Sequence, residues 1–584
     1  MNGKPAAGFW VVVVMVVLGL GGFALYKAGL LAPEGKNDAP QNIDQNELNK
    51  IKGGPQGADK NSVEAPDSNA PTTVKEYSFV PSAKLPPVEG TAAYKPLKDN
   101  TVRFAINVWA GWAPIVFAND GFKAGKVWKT PDGKSFKVEL VLMDDPVAMR
   151  DAYATGSVHI GWATLDMVPL FMEELRKDSR TMPRIFQQID WSNGGDGIVG
   201  RGVENIGQLR GKTVVLAQNS PSHYFLLNAL INAGVQPSEV NMKFTGDAFQ
   251  AAAAFNNDKN ISAVVSWAPD IYNLSEVKGN KLLVSTQTAN KLIADVWFAR
   301  ADFAKDNMNI MEGLVRGIFD AMENLKSGDA AKQKVAELMS KGYSIPATEA
   351  LSMLGDAHST NFAENREFFM NQNNPANFER TWETAYYLYK RIGQVADKTP
   401  FDQVMDFSII KKLGEDPKFA AQKDEYSVNF APRSVQTIKA ESGEILTKTV
   451  VIHFFPNSAE IDKVIEEQIG DKTTTRAYDP NVKFVLEEIG RLAGQYGAAR
   501  IVIEGHTDSS MQGKVPDSAV QELSDARAAA VKTALLKKFP TLQPNQFGTQ
   551  GMGWSVPADS NDPLNHAKNR RVEIKVYPLE SAAQ

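Results

Sequence analysis

The sequence predicts an α/β protein with two folded units behind an N-terminal transmembrane helix. Three observations carry this prediction. Strand and helix patterns alternate along most of the chain, as in parallel sheets covered by helices; an uncharged apolar run stands near the start; and two polar stretches divide the remainder. With 584 residues the chain has room for three or four folding units. Hydrophobic residues at 43% and charged residues at 22% are globular proportions, and a net charge of -5 gives no overall attraction toward nucleic acid, which is therefore not an expected partner. Cysteine is absent, which excludes disulfides, thiolate nucleophiles, iron–sulfur clusters and cysteine zinc sites.

Residues 1–8 form a short tip. The run 9–26 (FWVVVVMVVLGLGGFALY) carries no charge and extends through Lys27 to about residue 31, enough to cross a bilayer core. A cleaved signal peptide is the rival reading, but no small-x-small cleavage site follows and the apolar run exceeds a signal core. Residues 32–98 are rich in Pro, Asn, Asp, Gly and Lys, which predicts a disordered linker. A second linker is expected over 414–443.

Between them, over 99–413, the pattern repeats. Residues 102–108 (VRFAINV) read as a strand, Gly111 to Pro114 as a turn, and 115–118 as the start of a helix. Strands follow at 136–143, 157–162 and 212–216, with helices at 147–154, 166–175 and 224–233. In such sheets ligands sit at the carboxyl ends of strands, beside helix N-termini. Ser220 and Ser222 in AQNSPSHYF precede a helix whose free N–H groups suit an oxyanion; the equal alternative is that one of them simply caps the helix and nothing binds. His223 falls in the first helical turn, where a neutral imidazole is favoured over a cation. Trp109, Trp112 and Trp267 fall at or beside strand ends, as pocket walls or as core.

The segments 107–122 (NVWAGWAPIVFANDGF), 211–235 and 263–274 (AVVSWAPDIYNL) resemble periplasmic solute-binding proteins of the nitrate/sulfonate/taurine class. The resemblance implies a bilobed type II periplasmic-binding-protein fold: lobe one over about 99–197 plus returning helices, lobe two over about 201–295, and crossing strands at 198–200 and 295–299. It implies a small, anionic solute between the lobes, bound by Trp109, Trp112, Ser220, Ser222, His223 and Trp267. Two positions depart from that family: His159 and Ala268 stand where relatives more often carry Asp. No enzyme is expected, because the six histidines are scattered and no metalloprotease or serine-hydrolase motif occurs. Asp144 and Asp145 read as a strand-to-helix turn with a capping acid. No metal or cofactor is expected.

Residues 444–584 read as a compact α/β unit, with strands at 449–454, 499–504, 546–551 and 571–577 and helices at 482–496 and 523–536. The motifs EGHTD (504–508), LSDARA (523–528) and NRRVE (569–573) resemble the OmpA-like peptidoglycan-binding domain. That resemblance implies binding of the diaminopimelate stem peptide of peptidoglycan, with Asp508 on the ammonium, Arg527 on the carboxylate, and Arg570 supporting the carboxylate side. The loop after Asp508 is longer than usual, and Val520 replaces a frequent Asn. A wall-binding domain is periplasmic, so residues 1–8 become a cytoplasmic tip of a single-pass inner-membrane protein. The expected function is a peptidoglycan-attached solute-binding protein serving a membrane transporter or signalling partner. The alternative is an envelope tether whose middle module docks a protein. A flagellar-type stator is excluded because residues 9–26 lack the ion-carrying carboxylate that machine needs.

Overall fold

The computed structural model describes residues 71–469 and 472–579. Among these residues no helix is long and apolar enough to cross a membrane; the expected anchor at 9–31 and the linker up to residue 70 lie outside them.

The first described strand, β1 (Phe79–Val80), belongs to the second lobe. Lobe one begins with β2 (Thr101–Ile106), β3 (Val127–Lys129) and β4 (Ser135–Leu142). Helix α1 (Pro146–Ala154) starts where the Asp145 carboxylate accepts the amides of Val147 and Ala148, and Asp144 accepts the amide of Val108 at 2.6 Å, so both acids hold turns as the sequence suggests. Next come β5 (Ile160–Thr164), α2 (Val168–Leu175) and β6 (Pro183–Ser192). β5 starts three residues later than its pattern suggests, because 157–159 form the turn after α1 and His159 is held by the backbone of Arg103 and Lys95.

After β6 the chain crosses at 193–195 into lobe two: β7 (Asp196–Arg201), β8 (Thr213–Ala217), α3 (Pro221–Asn232), β9 (Asn241–Thr245), β10 (Ala263–Trp267) and β11 (Asn280–Ser285). It returns over 286–293 to β12 (Ala294–Arg300), and β13 (Ala357–Ser359) completes lobe one. The sheets run β13-β6-β12-β5-β2-β4-β3 and β1-β9-β8-β10-β7-β11. The spans expected as crossing strands thus lie inside sheets, and the crossings are the irregular stretches beside them, tied by the amide of Ser192 donating to the Ile293 carbonyl at 3.0 Å. β2, β5 and β8 are almost wholly apolar and are paired on both edges, so their backbone groups are satisfied and their side chains supply the two cores.

Helices α4 (Phe362–Met370) and α5 (Phe378–Arg391) return to lobe one. The Asn365 side chain accepts the amide of Gln188 at 2.8 Å and donates to its carbonyl at 3.1 Å, bolting α4 to β6.

Both stretches expected as linkers pack where they are described. Residues 71–98 run along both lobes: Thr73 donates to Asp270, β1 pairs with β9, Asn219 donates to the Ala83 carbonyl, and Arg300 donates to the Ala92 carbonyl. Over 414–443, Tyr426 stacks on His358 with ring centres 3.9 Å apart and donates to Asn193, while Arg500 covers the Phe430 ring. Polar composition hid these straps because their anchors are scattered, with single apolar residues such as Phe419, Phe430 and Ile438 buried among polar neighbours.

The C-terminal unit contains β14 (Leu446–Val450), the hairpin β15 (Val464–Ile469) and β16 (Lys472–Ala477), α6 (Val482–Gln495), β17 (Ala499–His506), α7 (Asp517–Lys538), β18 (Phe547–Gly553) and β19 (Val572–Pro578). Its main sheet is ordered β14-β19-β17-β18. β14 begins three residues before the sequence pattern places it, since Leu446 and not Thr449 starts the register with β19.

Candidate functional sites

The strand ends of both sheets converge between the lobes, and four carboxylates meet there. Thr164, Asp295 and Asp190 form one cross-strand row on β5, β12 and β6, and Asp196 pairs with Trp267 at the start of β7. All four acids are buried. Asp190 and Asp295 hydrogen-bond each other, so one keeps a proton; burial and the adjacent Asp190 push Asp295 well up. Burial raises Asp196 to about 7 despite hydrogen bonds from Ser192 at 2.7 Å and from Trp267. Asp166, just past β5, is raised to about 7, chiefly by burial, which outweighs poorly aligned hydrogen bonds from Thr164 and its own amide.

Lobe two carries two buried hydrogen-bond donors in the first turn of α3. Ser222 is fully buried and its hydroxyl is unpartnered. His223 Nδ1 accepts the amide of Asn219 at 3.2 Å, which leaves Nε2 as the protonated nitrogen, also buried without a partner. Burial lowers His223 to about 4, so the ring is neutral at pH 7. Ser220 is the residue before α3, but its hydroxyl donates to the Ala217 carbonyl at 2.8 Å and not to the helix or outward.

The three tryptophans separate. Trp109 lies in the cleft: its indole N–H donates to Asp190 at 3.2 Å, and its ring covers Gly195, where a Cβ would stand 2.6 Å from the ring edge. Trp267 sits at the end of β10 against Asp196. Trp112 is fully buried, packs edge-on to Phe104 and donates to Asn107 at 2.6 Å, so it belongs to the core and not to the cleft wall. His159 also lies away from the cleft, stacked on Phe303 at 4.6 Å and lowered to about 4 by burial.

Sequence reasoning missed the four carboxylates. A signal was present: IADVWFA and FQQIDWS each carry one acid inside an otherwise buried strand, where an acid is costly unless it has a task. They also qualify the expectation of an anionic solute. A purely anionic ligand would meet like charge here, whereas a ligand bearing an ammonium as well as an oxyanion finds acceptors on lobe one and donors on lobe two.

In the C-terminal unit, Asp508 follows β17 and accepts the Ser510 amide at 2.8 Å. Burial raises its carboxyl, but hydrogen bonds from Ser510 and Arg570 outweigh this and hold it below the usual range. Arg570 Nη1 donates to Asp508 at 2.7 Å, and His566 Nδ1 stands 3.6 Å from the other oxygen. Arg570 therefore stands on the acid, not on the carboxylate side where it was expected. Arg527 on α7 donates through Nε to the Ser458 carbonyl at 3.1 Å and lies over the Phe454 ring at 4.9 Å. That leaves the Nη end of its fork for a carboxylate, close enough to Asp508 to feel its charge. Fixed acid and fixed base thus flank one spot.

Residues 473–571 match the OmpA family. That segment holds EGHTD and LSDARA whole and the first three residues of NRRVE, with Asp508, Arg527 and Arg570 among them. No curated protein matches the chain. Among solved structures, the chain is similar to the periplasmic aliphatic sulphonate-binding protein SsuA from Escherichia coli, at 17% identity and a TM-score of 0.40, covering 52% of this chain and 97% of that one. It is also similar to the periplasmic nitrate-binding protein NrtA from Synechocystis PCC 6803 (12%, 0.40, 55% and 89%) and to the desulfurization enzyme DSZB (14%, 0.37, 54% and 98%).

Glu504, His506 and Glu573 bring ligand atoms within 4.8 Å of one another. Their charge is already answered: Lys439 binds Glu504, Arg571 donates to Glu573 at 2.7 Å, and Lys575 lies 3.8 and 3.5 Å from the two acids. A divalent ion would have to displace these cations, so the cluster reads as a buried ion-pair network.

Proposed function

We propose that this chain is a wall-attached solute receptor of the bacterial envelope. The run 9–31 anchors it in the inner membrane, the OmpA-like unit holds peptidoglycan through Asp508 and Arg527, and the bilobed module captures a small solute for a transporter or signalling partner. One observation carries the solute reading: Ser222 and His223, in the first turn of α3, present buried polar atoms with no protein partner, and groups so placed are costly unless a ligand or water answers them. The mixture of acceptors and donors suits a compact solute that pairs an ammonium with an oxyanion. No step of catalysis is assigned to these groups.

The test is a thermal-shift screen with matched pairs of solutes, each acid with and without an amino group, alongside nitrate, phosphate and pyrimidines. A concentration-dependent rise for the amino acid form alone supports the reading. A rise with a plain anion only would replace it. No rise with any solute would favour the docking-module tether, a reading that the filling of the cleft by Trp109 also serves.

A further inference from the structure

One helix of the C-terminal unit touches both lobes. Glu487, Arg491 and Gln495 stand at i, i+4 and i+8 of α6, so they form a single stripe. Arg380 of α5 donates to Glu487, its second nitrogen at 3.3 Å, and Arg491 donates to Thr384 of α5 at 3.1 Å. One turn further, Asn228 of α3 donates to Gln495 at 3.1 Å. The Gln495 carbonyl also accepts the amide of Lys291, in the crossing between the lobes, at 3.1 Å, and the Ala498 amide donates to Thr288 in the same crossing at 3.3 Å. Small residues permit this approach: a Cβ on Gly494 would stand 2.6 Å from Pro375, and one on Gly497 2.7 Å from Asn290.

Helix α5 is held by lobe one and also reaches lobe two, where Tyr389 donates to the Ser220 carbonyl at 3.5 Å and Arg391 donates to Gln236. Its Trp382 donates to the Thr399 carbonyl at 2.8 Å, and Ala396, in the stretch that follows α5, donates its amide to Glu173 of α2 at 3.2 Å. Helix α3 packs on the lobe-two sheet. The stripe therefore spans the two bodies whose relative rotation opens the cleft, and it also holds the crossing about which they would turn.

The geometry points to α6 as a brace: by bonding α5, α3 and the crossing at once, it makes docking of the wall-binding unit and closure of the solute cleft a single equilibrium. This goes beyond solute capture and wall attachment, because it links them. Any ligand that favours one cleft geometry must change the docking of the C-terminal unit, and the reverse holds by the same free energy. Tyr224 offers a physical link, standing in the first turn of α3 with a buried hydroxyl. Burial, and then the Asp166 charge, push that hydroxyl up, and Arg491 and Tyr496 at the end of α6 act on it too.

The absence of cysteine makes the test direct. Spin labels on Lys134→Cys in lobe one and Lys278→Cys in lobe two, both exposed, report the distance between the lobes in the full chain. The triple variant Glu487→Ala/Arg491→Ala/Gln495→Ala should shift and widen that distance distribution. A second variant, Gly494→Leu, points its new side chain at Pro375 and away from the C-terminal core, and should do the same. Undocking is read separately as lost hydrogen-exchange protection of the Lys291 amide. Protection lost with an unchanged lobe distance would overturn the brace. Protection kept in both variants would overturn it equally, since the stripe would then not be what holds the unit.

Discussion

Replacing Asp166 by Asn probes the cleft with the least change of shape. The carboxyl is buried with no well-formed hydrogen bond, and its pKa is raised from 3.8 to about 7. Because the folded pKa lies above the unfolded one, the stability this group contributes is present below about pH 4 and is lost as pH rises toward 7. Across that window the unfolded chain has released the proton and the folded chain has not. Each pH step costs the fold about 1.4 kcal/mol, so between pH 5 and pH 8 the parent loses about 3 kcal/mol through this group alone. Asn cannot ionise and escapes that loss. The stability difference between Asp166→Asn and the parent should therefore move in favour of the variant by about 3 kcal/mol from pH 5 to pH 8. Urea unfolding followed by tryptophan fluorescence reads the transition of the bilobed module, and subtracting parent from variant leaves Asp166 together with its coupling to Asp196 and Asp295. A difference that does not change with pH would refute the reasoning, because Asp166 would then be answered by a partner or open to water.

Asp508→Asn and Arg527→Ala should each abolish pulldown with diaminopimelate-type peptidoglycan. Truncating one member of a desolvated charge pair costs about 2–5 kcal/mol, roughly 30-fold or more in affinity, and unchanged retention would remove the assignment. Arg570→Ala should cost less than Arg527→Ala, since Arg570 stands on Asp508 and not on the ligand's carboxylate; equal losses would return it to the carboxylate side. Ser222→Ala should weaken binding of whichever solute raises the melting temperature, whereas Ser220→Ala should not, because the Ser220 hydroxyl is spent on the Ala217 carbonyl. Burial lowers both His159 and His223 to about 4, so between pH 6.5 and 4 the unfolded chain binds protons that the fold refuses, and stability is lost as pH falls through that range. Substituting either by Gln should flatten the acid limb of a melting curve relative to the parent, and an unaltered acid limb would count against burial as the cause.

Much of the fold was legible because the signals are local. Strand and helix periods at 136–143, 212–216 and 482–496 depend on side chains two to four positions apart, and the helix after Ser220 is announced by its own Pro and Ser. Asp508 and Arg527, the proposed wall-binding pair, stand in EGHTD and LSDARA, short motifs readable in one chain. The cleft was legible only in outline. Trp109 and Trp112 are three residues apart and identical in type, yet one lies beside Asp190 and the other in the core, because Trp109 is still extended (φ -152°, ψ 145°) while Trp112 closes the helical turn.

The sequence by itself determined the α/β alternation, the motifs that nominate Asp508 and Arg527, and the exclusion of thiol chemistry, all of which are read from residue type and near-neighbour spacing. Only the tertiary structure decided that Asp166, Asp190, Asp196 and Asp295 share one buried place, that the polar straps at 71–98 and 414–443 are packed, and that Glu487, Arg491 and Gln495 hold both lobes. These contacts join residues tens to hundreds of positions apart, and no local period or propensity encodes which distant surface a polar side chain will meet.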